Sequence, residues 1–327
     1  MMPFSKRYHN ARVSIVITSY NQKSLLVETI ESALAQTWKP YEVIIADDCS
    51  SDGSPEMIAG YARRHPEIIK PLFQKKNLGV ARNRSAGFEM ATGDFVTWAN
   101  GDDRLLPRKL ELELETLEAH PQARWVYSQV HYVDHKGRRM GVLRYRGKYR
   151  HQAYGFEEVA TKIGREPAYQ LVERRILDQV GLFDTSLRIY EDWDFAIRLA
   201  RHSQGAYCPV PLYEYRQYRG GLSSSGVETQ LQSLKKVYAN LLPLLTGLPA
   251  PKAKNIKRIL FAELCGYEAL SRLETGRKTE AFKYVLNALK ASPCEAFHYE
   301  IAVMLLFPGP LLDFLRRLKK KHFQALR

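Results

Sequence analysis

The sequence Phe95-Val-Thr-Trp-Ala-Asn-Gly-Asp-Asp103 decides the fold, because it joins a strand-forming run to two adjacent carboxylates. The run follows Gly93 and is mostly β-branched or aromatic, which predicts a buried strand that ends where Asn100-Gly101 breaks it. Neighbouring aspartates repel each other, and a bound cation or hydrogen-bond donors would offset that repulsion. The alternative is a solvated turn before a helix that begins near Pro107, since acidic residues favour helix N-termini.

The segments before this run alternate between strand and helix patterns. Val13 to Thr18 and Tyr41 to Ala46 are short apolar runs that predict two strands, and a helix pattern follows each of them. Ser54-Pro55 begins the second helix, with Ser54 as its N-cap. Val80 to Ala91 predicts a further helix, which leads to the strand at Phe95. Such alternation indicates an α/β fold with a parallel sheet covered by helices.

Polar clusters stand at the predicted carboxyl ends of three of these strands. They are Thr18-Ser-Tyr-Asn21, Asp47-Asp48 and Asn100-Gly-Asp-Asp103. Ligands of parallel sheets bind beyond these ends, so one shared rim explains the clusters better than three separate solvated turns. No G-x-G-x-x-G follows the first strand and no P-loop motif occurs, so a bound nucleotide would be held by side chains.

A later acidic pair, Glu191-Asp192, is predicted to lie at the start of a helix. Trp193, Ile197 and Ala200 share one face of that helix. The simplest interpretation of the pair is that its charges complement the helix dipole.

The strand patterns stop in the last third of the chain. Ala168 to Glu173 predicts a strand and Arg174 to Val180 a short helix, but beyond about Gly226 only helical patterns remain. We therefore expect an α/β domain over residues 1–226 and a helical C-terminal region over residues 227–327.

The chain of 327 residues carries a formal charge of +14, and much of it lies near the C-terminus. Glu228 to Arg327 holds 17 Lys and Arg against 8 Asp and Glu, which accounts for nine of these charges. Such an excess favours anionic partners: nucleic acid, phosphorylated small molecules or an anionic membrane. A second basic stretch, Lys136 to Arg150, is interpreted as a solvated loop or loose hairpin.

No apolar run approaches the roughly 20 residues that span a bilayer. Ile301 to Leu315 comes closest, but Pro308-Gly-Pro310 interrupts it, and the basic cluster Arg316 to Lys321 follows. This combination favours a helix on an anionic membrane, whereas packing on its own domain is the alternative. The four cysteines have no paired spacing, and the N-terminus has no apolar leader. A cytoplasmic location, peripheral at the inner face of the plasma membrane, is therefore expected.

Taken together, these motifs resemble the family 2 glycosyltransferases of the GT-A fold, inverting enzymes that build bacterial surface polysaccharides. The resemblance covers residues 11 to 223 and implies a GT-A domain followed by the helical C-terminal region. The matching motifs are Val13 to Asn21, Val43 to Ser54, Asn77 to Asn83, Gly93 to Asp103, Gly181 to Asp184 and Glu191 to Asp194.

The resemblance implies a nucleotide-sugar donor, and a UDP-sugar is the expected one. Thr18, Tyr20 and Asp48 match the residues that hold the base and ribose of the nucleotide, and Arg82 lies in a helix that commonly contacts it. The expected acceptor is a glycan or a lipid-linked hydroxyl, in the synthesis of cell-surface polysaccharide, lipopolysaccharide or glycolipid.

The resemblance also implies roles for the acidic residues. Asp102 and Asp103 match the pair that meets the sugar nucleotide and its divalent metal, Mn²⁺ or Mg²⁺, with Asp103 as the direct ligand. Asn100 stands where the family usually has the first acid of this motif, so its expected contact is with the sugar or a water. Asp192 matches the catalytic base. Metal-dependent transfer with inversion is the activity that follows.

Two other functions remain open on the residues alone. A basic protein that binds RNA or DNA would place Arg138 to Arg150 and the C-terminal basic cluster on phosphates, but its acidic rim would then have no purpose. The chain could also be a GT-A relative that has lost catalysis and serves as a partner of other proteins, and Asn100 in place of the usual acid is compatible with lost catalysis. Asp103 and Asp192 argue against it, and we expect no nucleic-acid partner.

Overall fold

The computed structural model of the protein describes residues 8–143, 155–161, 169–217, 226–293 and 296–306. The chain divides into two compact units, Met1–Tyr218 and Arg219–Arg327. The first unit is built on a mixed sheet with helices, and the described part of the second consists of helices. The predicted α/β class with C-terminal helices is therefore confirmed.

The first unit alternates strands and helices along the chain. Its described strands are β1 (Val13–Ser19), β2 (Glu42–Asp47), β3 (Ile69–Phe73), β4 (Phe95–Asn100), β5 (Arg104–Leu105), β6 (Ala123–Val133), β7 (Arg139–Leu143), β8 (Leu171–Glu173) and β9 (Gln204–Arg216). Its described helices are α1 (Lys23–Leu34), α2 (Ser54–Arg64), α3 (Val80–Met90), α4 (Lys109–Ala119), α5 (Phe156–Ala160), α6 (Leu177–Val180) and α7 (Glu191–His202).

Within the described residues the strands form one sheet in the order β3-β2-β1-β4-β8-β6-β9-β5, and β7 pairs with β6. The pairs among β1 to β4 are parallel, which confirms the parallel sheet predicted for the N-terminal part. Beyond them, β8 is antiparallel to both β4 and β6, β9 is parallel to β6, and β5 is antiparallel to β9. The carboxyl ends of β1, β2 and β4 therefore lie at one edge.

The centre of the sheet is buried on both faces. Every residue of β1 and β2 is buried, and so are the first five residues of β4. Full burial of a Val or Ile side chain contributes about 1.5–3 kcal/mol, so short Val- and Ile-rich runs suffice for these strands. Trp98 of β4 packs against Phe88 of α3, Phe195 of α7 and Phe183. This aromatic cluster holds α3 and α7 against the strand that ends at Asn100.

The predicted start of α2 is wrong by one residue. Ser54 is the first residue of the helix rather than its N-cap, and Gly53 occupies the cap position with a φ of 84°. Glycine adopts this left-handed conformation at little cost. Asp52 bonds to the helix start instead, because its Oδ1 accepts hydrogen bonds from the Ser54 amide at 3.0 Å and the Ser54 hydroxyl at 2.6 Å.

Two further segments differ from their predicted extent. The strand expected from Ala168 begins at Leu171, since Tyr169 has a φ of 55° that is incompatible with extended backbone. The helix expected from Arg174 opens with a 3₁₀ turn before α6. The basic stretch that begins at Lys136 is a hairpin in part, because β7 pairs antiparallel with β6, and its residues 144–150 lie outside the described ones.

The second unit is described over the helices α8 (Val227–Leu244), α9 (Ala250–Glu274), α10 (Lys278–Ala291) and α11 (Ala296–Leu306). Ala269, Ala281, Val285 and Ile301 form one buried apolar cluster in it. No helix in the described part of the chain is long and apolar enough to cross a membrane. Of the segment expected to lie on a membrane, the part up to Leu306 belongs to α11, and the basic cluster Arg316 to Lys321 lies outside the described residues.

Candidate active site

The structure brings the three predicted polar clusters together at one edge of the sheet. Thr18 of β1 is in register with Ala46 of β2 on one side and with Asn100 of β4 on the other. The amide of Gly101 donates to the carbonyl of Thr18 at 2.8 Å. A Cβ on Gly101 would lie 3.1 Å from that oxygen, which is tighter than most Cβ contacts, so glycine suits this close approach. The predicted rim is thus present, and its strand ends are in contact.

Of the four residues predicted to contact the nucleotide, two are buried and two are exposed. Thr18 and Asp48 are buried, whereas Tyr20 is 47% exposed and Arg82 is exposed on α3. Asp48 accepts hydrogen bonds from the backbone amides of Leu78 at 2.7 Å and Gly79 at 2.9 Å. Its carboxylate therefore holds the turn that precedes α3.

Asp103 lies under the rim rather than on it. Its side chain is 1% exposed, and burial, followed by the adjacent Asp102 carboxylate, raises its pKa well above the usual range. Four donors reach its oxygens: the Arg216 amide at 2.8 Å, the Asn100 amide nitrogen at 3.0 Å, the Tyr213 hydroxyl at 3.1 Å and the Tyr169 hydroxyl at 3.4 Å. Asp103 therefore anchors the acid turn, residues 100–103, to β9.

Arg216 of β9 reinforces the same anchor. Its buried guanidinium donates to the Asp102 carbonyl at 2.8 Å, the His135 carbonyl at 3.0 Å and the Glu28 carboxylate at 2.8 Å. The Asp102 side chain itself is only partly buried. The acid turn is thus held from below, with Asp102 at its more exposed position.

Two tyrosines that the sequence did not single out lie beneath the acid turn. The rings of Tyr169 and Tyr213 stack with centroids 3.6 Å apart. Burial raises the pKa of the Tyr169 phenol well above its usual range, and the Asp103 and Asp192 carboxylates raise it as well. Buried Lys109 donates to the Tyr169 carbonyl at 3.1 Å, which secures its left-handed backbone. Tyr169 thus lies near both acidic motifs.

Glu191 and Asp192 occupy the first turn of α7, as predicted. Glu191 is buried, whereas Asp192 is partly exposed. Burial, followed by the neighbouring Asp192 carboxylate, raises the pKa of Glu191 to about 7, while Arg84 opposes the shift. The two acids therefore have different surroundings: Glu191 faces the interior and Asp192 the more open side.

Arg84 of α3 is a further residue of the site that sequence reasoning missed. It donates from Nη1 to Glu191 Oε1 at 2.9 Å and from Nη2 to Asn100 Oδ1 at 2.9 Å. It therefore joins the helix that carries Asp192 to the acid turn. A signal was present in the sequence, since Arg84 shares the buried face of α3 with Ala81 and Phe88, where an unpaired arginine would be costly.

The fit of a divalent cation differs between the two adjacent aspartates. Asp103 fits poorly as a direct ligand, because it is buried and both of its oxygens accept hydrogen bonds. Asp102 is a partly exposed residue at the rim. Over the described ranges, no group of three or more His, Cys, Asp or Glu side chains is arranged to hold a metal ion. A cation here would need further oxygens from a bound diphosphate.

The sequence matches the family model described as glycosyl transferase family 2 over residues 14–181, just over half of the chain. The chain belongs to glycosyl transferase family 2. Glycosyl transfer is the activity that this membership supports, and the resemblance seen in the sequence motifs is confirmed.

The curated relatives differ in how much of their length is matched. The uncharacterized glycosyltransferase YwdF of Bacillus subtilis (strain 168) is 28% identical over 253 residues, which is 76% of this chain and 89% of that protein. The matches to several other curated relatives span 37–39% of the length of those proteins.

Two solved structures share the fold of this family 2 chain. Staphylococcus aureus TarS 1–349 in complex with UDP-GlcNAc has a TM-score of 0.64 and 18% identity, covering 86% of this chain and 81% of that one. The mannosyltransferase PcManGT from Pyrobaculum calidifontis in complex with GDP-Man and Mn²⁺ has a TM-score of 0.59 and 18% identity, covering 96% and 84%. At this identity the likeness shows the fold alone, and it confirms the predicted GT-A architecture.

Proposed function

We propose that this family 2 glycosyltransferase moves a sugar from a nucleotide-diphosphate donor to a hydroxyl acceptor with inversion, and that Asp192 is its base. One observation carries the proposal: α7 begins where Arg84 joins Glu191 to Asn100 of the acid turn. The carboxylate of Asp192, the residue after Glu191, therefore lies beside the turn that would meet the donor diphosphate.

Asp192 suits the role of general base because this residue is partly exposed at the start of a helix. An ionised carboxylate can accept the proton of an acceptor hydroxyl as that oxygen attacks the anomeric carbon. Attack from the face opposite the leaving diphosphate, in a single displacement, inverts the anomeric configuration. Glu191 is paired with Arg84 at 2.9 Å, so its carboxylate is engaged in the interior and not available to the acceptor.

We assign the cation to Asp102 rather than to Asp103. Mn²⁺ and Mg²⁺ prefer hard oxygen ligands, and Asp102 presents such a ligand at the rim. When bound, the cation neutralises charge on the leaving nucleoside diphosphate. The Mn²⁺ in the complex of the mannosyltransferase PcManGT supports the proposal. Asp103 then has a different task, which is to hold the acid turn against β9.

The donor would lie across the carboxyl edge, with its base and ribose near Thr18, Tyr20, Asp48 and Arg82. Asp48 already accepts one backbone hydrogen bond at each oxygen, and each oxygen retains a second acceptor position for a donor N–H or hydroxyl. UDP-GlcNAc and GDP-Man are bound by TarS and PcManGT, respectively, which supports a nucleotide sugar here. We propose a UDP-sugar.

We further propose that the acceptor is a glycan or lipid-linked hydroxyl of the cell envelope, reached at the inner face of the plasma membrane. The 17 Lys and Arg against 8 Asp and Glu from Glu228 onward support contact with an anionic surface. Truncation after Leu306, which keeps Ile301 in the helical core and removes the basic cluster Arg316 to Lys321, should leave a folded protein with reduced membrane association. Unchanged partitioning between membrane and supernatant would contradict this assignment.

A screen over nucleotide sugars tests the activity. Purified protein with Mn²⁺ is incubated with UDP- and GDP-sugars, and release of nucleoside diphosphate is measured. Asp192→Asn should bind the active donor as wild type does but lose transfer, since its amide cannot accept the proton. Wild-type turnover in Asp192→Asn would exclude the assigned base, and full activity in excess chelator would exclude the cation.

A further inference from the structure

One buried side chain, that of Arg84, makes hydrogen bonds to both acidic motifs. Arg84 reaches Glu191 with one nitrogen of its guanidinium and Asn100 with the other, both at 2.9 Å. We propose that Arg84 is a positioning residue, which fixes the helix that carries Asp192 relative to the acid turn through Asn100. The inference rests on the proposed function, because it concerns the geometry of the proposed base.

The chemistry of arginine explains why it occupies this position. Its guanidinium is planar and presents several donors in a fixed fork, so it can hold two acceptors in one geometry, whereas a lysine ammonium is a point charge on a flexible stem. The Arg84 side chain is 3% exposed and that of Glu191 is 8% exposed. The pair is therefore little screened by water, and its geometry is held by the surrounding core.

Asn100 continues the connection to the other side of the site. Its Oδ1 accepts from Arg84, and its Nδ2 donates to Asp103 Oδ2 at 3.0 Å. An amide can do both because it carries an acceptor and a donor, whereas an ionised carboxylate would place a second acceptor against Asp103. Asn100 therefore connects the interior groups, which gives a reason for the amide where the family usually has an acid.

Aromatic rings restrict the guanidinium further. The central carbon of Arg84 lies 5.0 Å from the ring centroid of Phe183 and 5.7 Å from that of Trp98. Cations over such rings are attracted by the ring quadrupole. The connection from Glu191 through Arg84 and Asn100 to Asp103 is thus enclosed on several sides and defines one relative placement of α7 and the acid turn.

The expected consequence is kinetic. Displacement of a catalytic group by about 1 Å can cost about 100-fold in rate, even when the mutated residue does not touch the substrate. Arg84→Lys keeps a charge beside Glu191 but cannot hold both partners. It should lower kcat by at least about tenfold while the donor KM changes by less than about threefold.

Arg198 of α7 provides a matched control. Its guanidinium bonds the carboxylate of Asp194 and the carbonyls of Leu182 and Val180, away from the acid turn. Arg198→Lys should keep kcat within about twofold of wild type. If Arg198→Lys lost as much kcat as Arg84→Lys, the loss would indicate general loosening of α7. That result would overturn the positioning role of Arg84.

A double-mutant cycle tests whether Arg84 acts through Asn100. If both residues belong to one connection, Arg84→Lys with Asn100→Ala should lose no more kcat than the more damaging single change, whereas Arg198→Lys with Asn100→Ala should combine multiplicatively. If the losses of kcat caused by Arg84→Lys and Asn100→Ala multiply in the double variant, the proposal is overturned. Should Arg84→Lys fail to fold, Asn100→Ala interrupts the same connection, and wild-type kcat in that variant overturns it equally.

Hydrogen exchange separates this inference from the proposed function. The amide of Asp194 donates to the Tyr190 carbonyl in the first turn of α7. That turn should exchange at least about tenfold faster in Arg84→Lys but not in Arg198→Lys, whether or not a donor is known. Lack of turnover with every nucleotide sugar would refute the function alone, whereas unchanged exchange together with unchanged kcat would refute the positioning role alone.

Discussion

Asp102 and Asp103 are adjacent in the sequence, yet the structure predicts opposite effects from the same substitution. Asp103 is buried and accepts hydrogen bonds from four donors, whereas Asp102 is partly exposed. Asp103→Asn replaces one accepting oxygen with an NH₂ group that then faces a donor. Asp102→Asn removes a charged oxygen at the rim and leaves these buried contacts in place.

The magnitude for Asp103→Asn follows from the contacts that are lost. An amide nitrogen at the Oδ1 position would face the Arg216 amide at 2.8 Å, and at the Oδ2 position it would face three other donors. Either placement leaves at least one buried donor without an acceptor, at about 1–3 kcal/mol. We expect that loss of unfolding free energy for Asp103→Asn, and a change within about 0.5 kcal/mol for Asp102→Asn.

Two measurements separate the roles. Urea unfolding gives the stability of each variant, and the thermal shift caused by UDP or GDP with Mn²⁺ reports the ligand site. Asp102→Asn should lose most of the Mn²⁺-dependent shift at near wild-type stability, whereas Asp103→Asn should be less stable and keep the shift. The reasoning is refuted if Asp103→Asn is as stable as wild type, or if Asp102→Asn retains the full shift.

Two further predictions concern stability. Burial raises the pKa of Glu113 in α4 from 4.5 to about 7, although its ion pair with Lys109 opposes the shift. The folded state therefore binds the Glu113 proton more tightly than the unfolded state does. This proton contributes up to about 3 kcal/mol to the free energy of unfolding below pH 4.5, and the contribution is lost as the pH rises to about 7. Glu113→Gln should flatten the pH dependence of the unfolding free energy, measured by urea unfolding at pH 5 and 7.5. A change between these pH values that is as large in Glu113→Gln as in wild type would contradict the prediction. Gly101→Ala should cost about 1–3 kcal/mol by overpacking against the Thr18 carbonyl, while Gly226→Ala, which meets nothing within 4 Å, should change Tm little; equal shifts in Tm would exclude the clash.

Local patterns in the sequence predicted much of the architecture. The runs near Val13, Tyr41 and Phe95 became β1, β2 and β4, and the helices expected at Val80 and Glu191 became α3 and α7. Apolar periodicity depends on neighbours within one or two turns, so it survives in the fold. The shared rim was also predictable, because the carboxyl ends of neighbouring parallel strands lie at one edge.

Other features lacked a local signal. The strand expected from Ala168 was shortened by the left-handed backbone of Tyr169, which a hydrogen bond from Lys109, 60 residues earlier, secures. The N-cap expected at Ser54 was displaced because Asp52 bonds the helix start. In both cases a competing contact decided between conformations that the local sequence allowed.

The sequence by itself determined the class of the protein: an α/β sheet with an acidic rim, in a chain whose motifs resemble those of its family. Only the tertiary structure decided that Asp103 is buried while Asp102 lies at the rim, and that Arg84 joins Glu191 to Asn100. The reason is physical, since strand and helix patterns arise from adjacent residues, whereas burial and pairing arise from distant ones. The Arg216 amide that bonds Asp103 is 113 residues away, and Glu191 is 107 residues from Arg84.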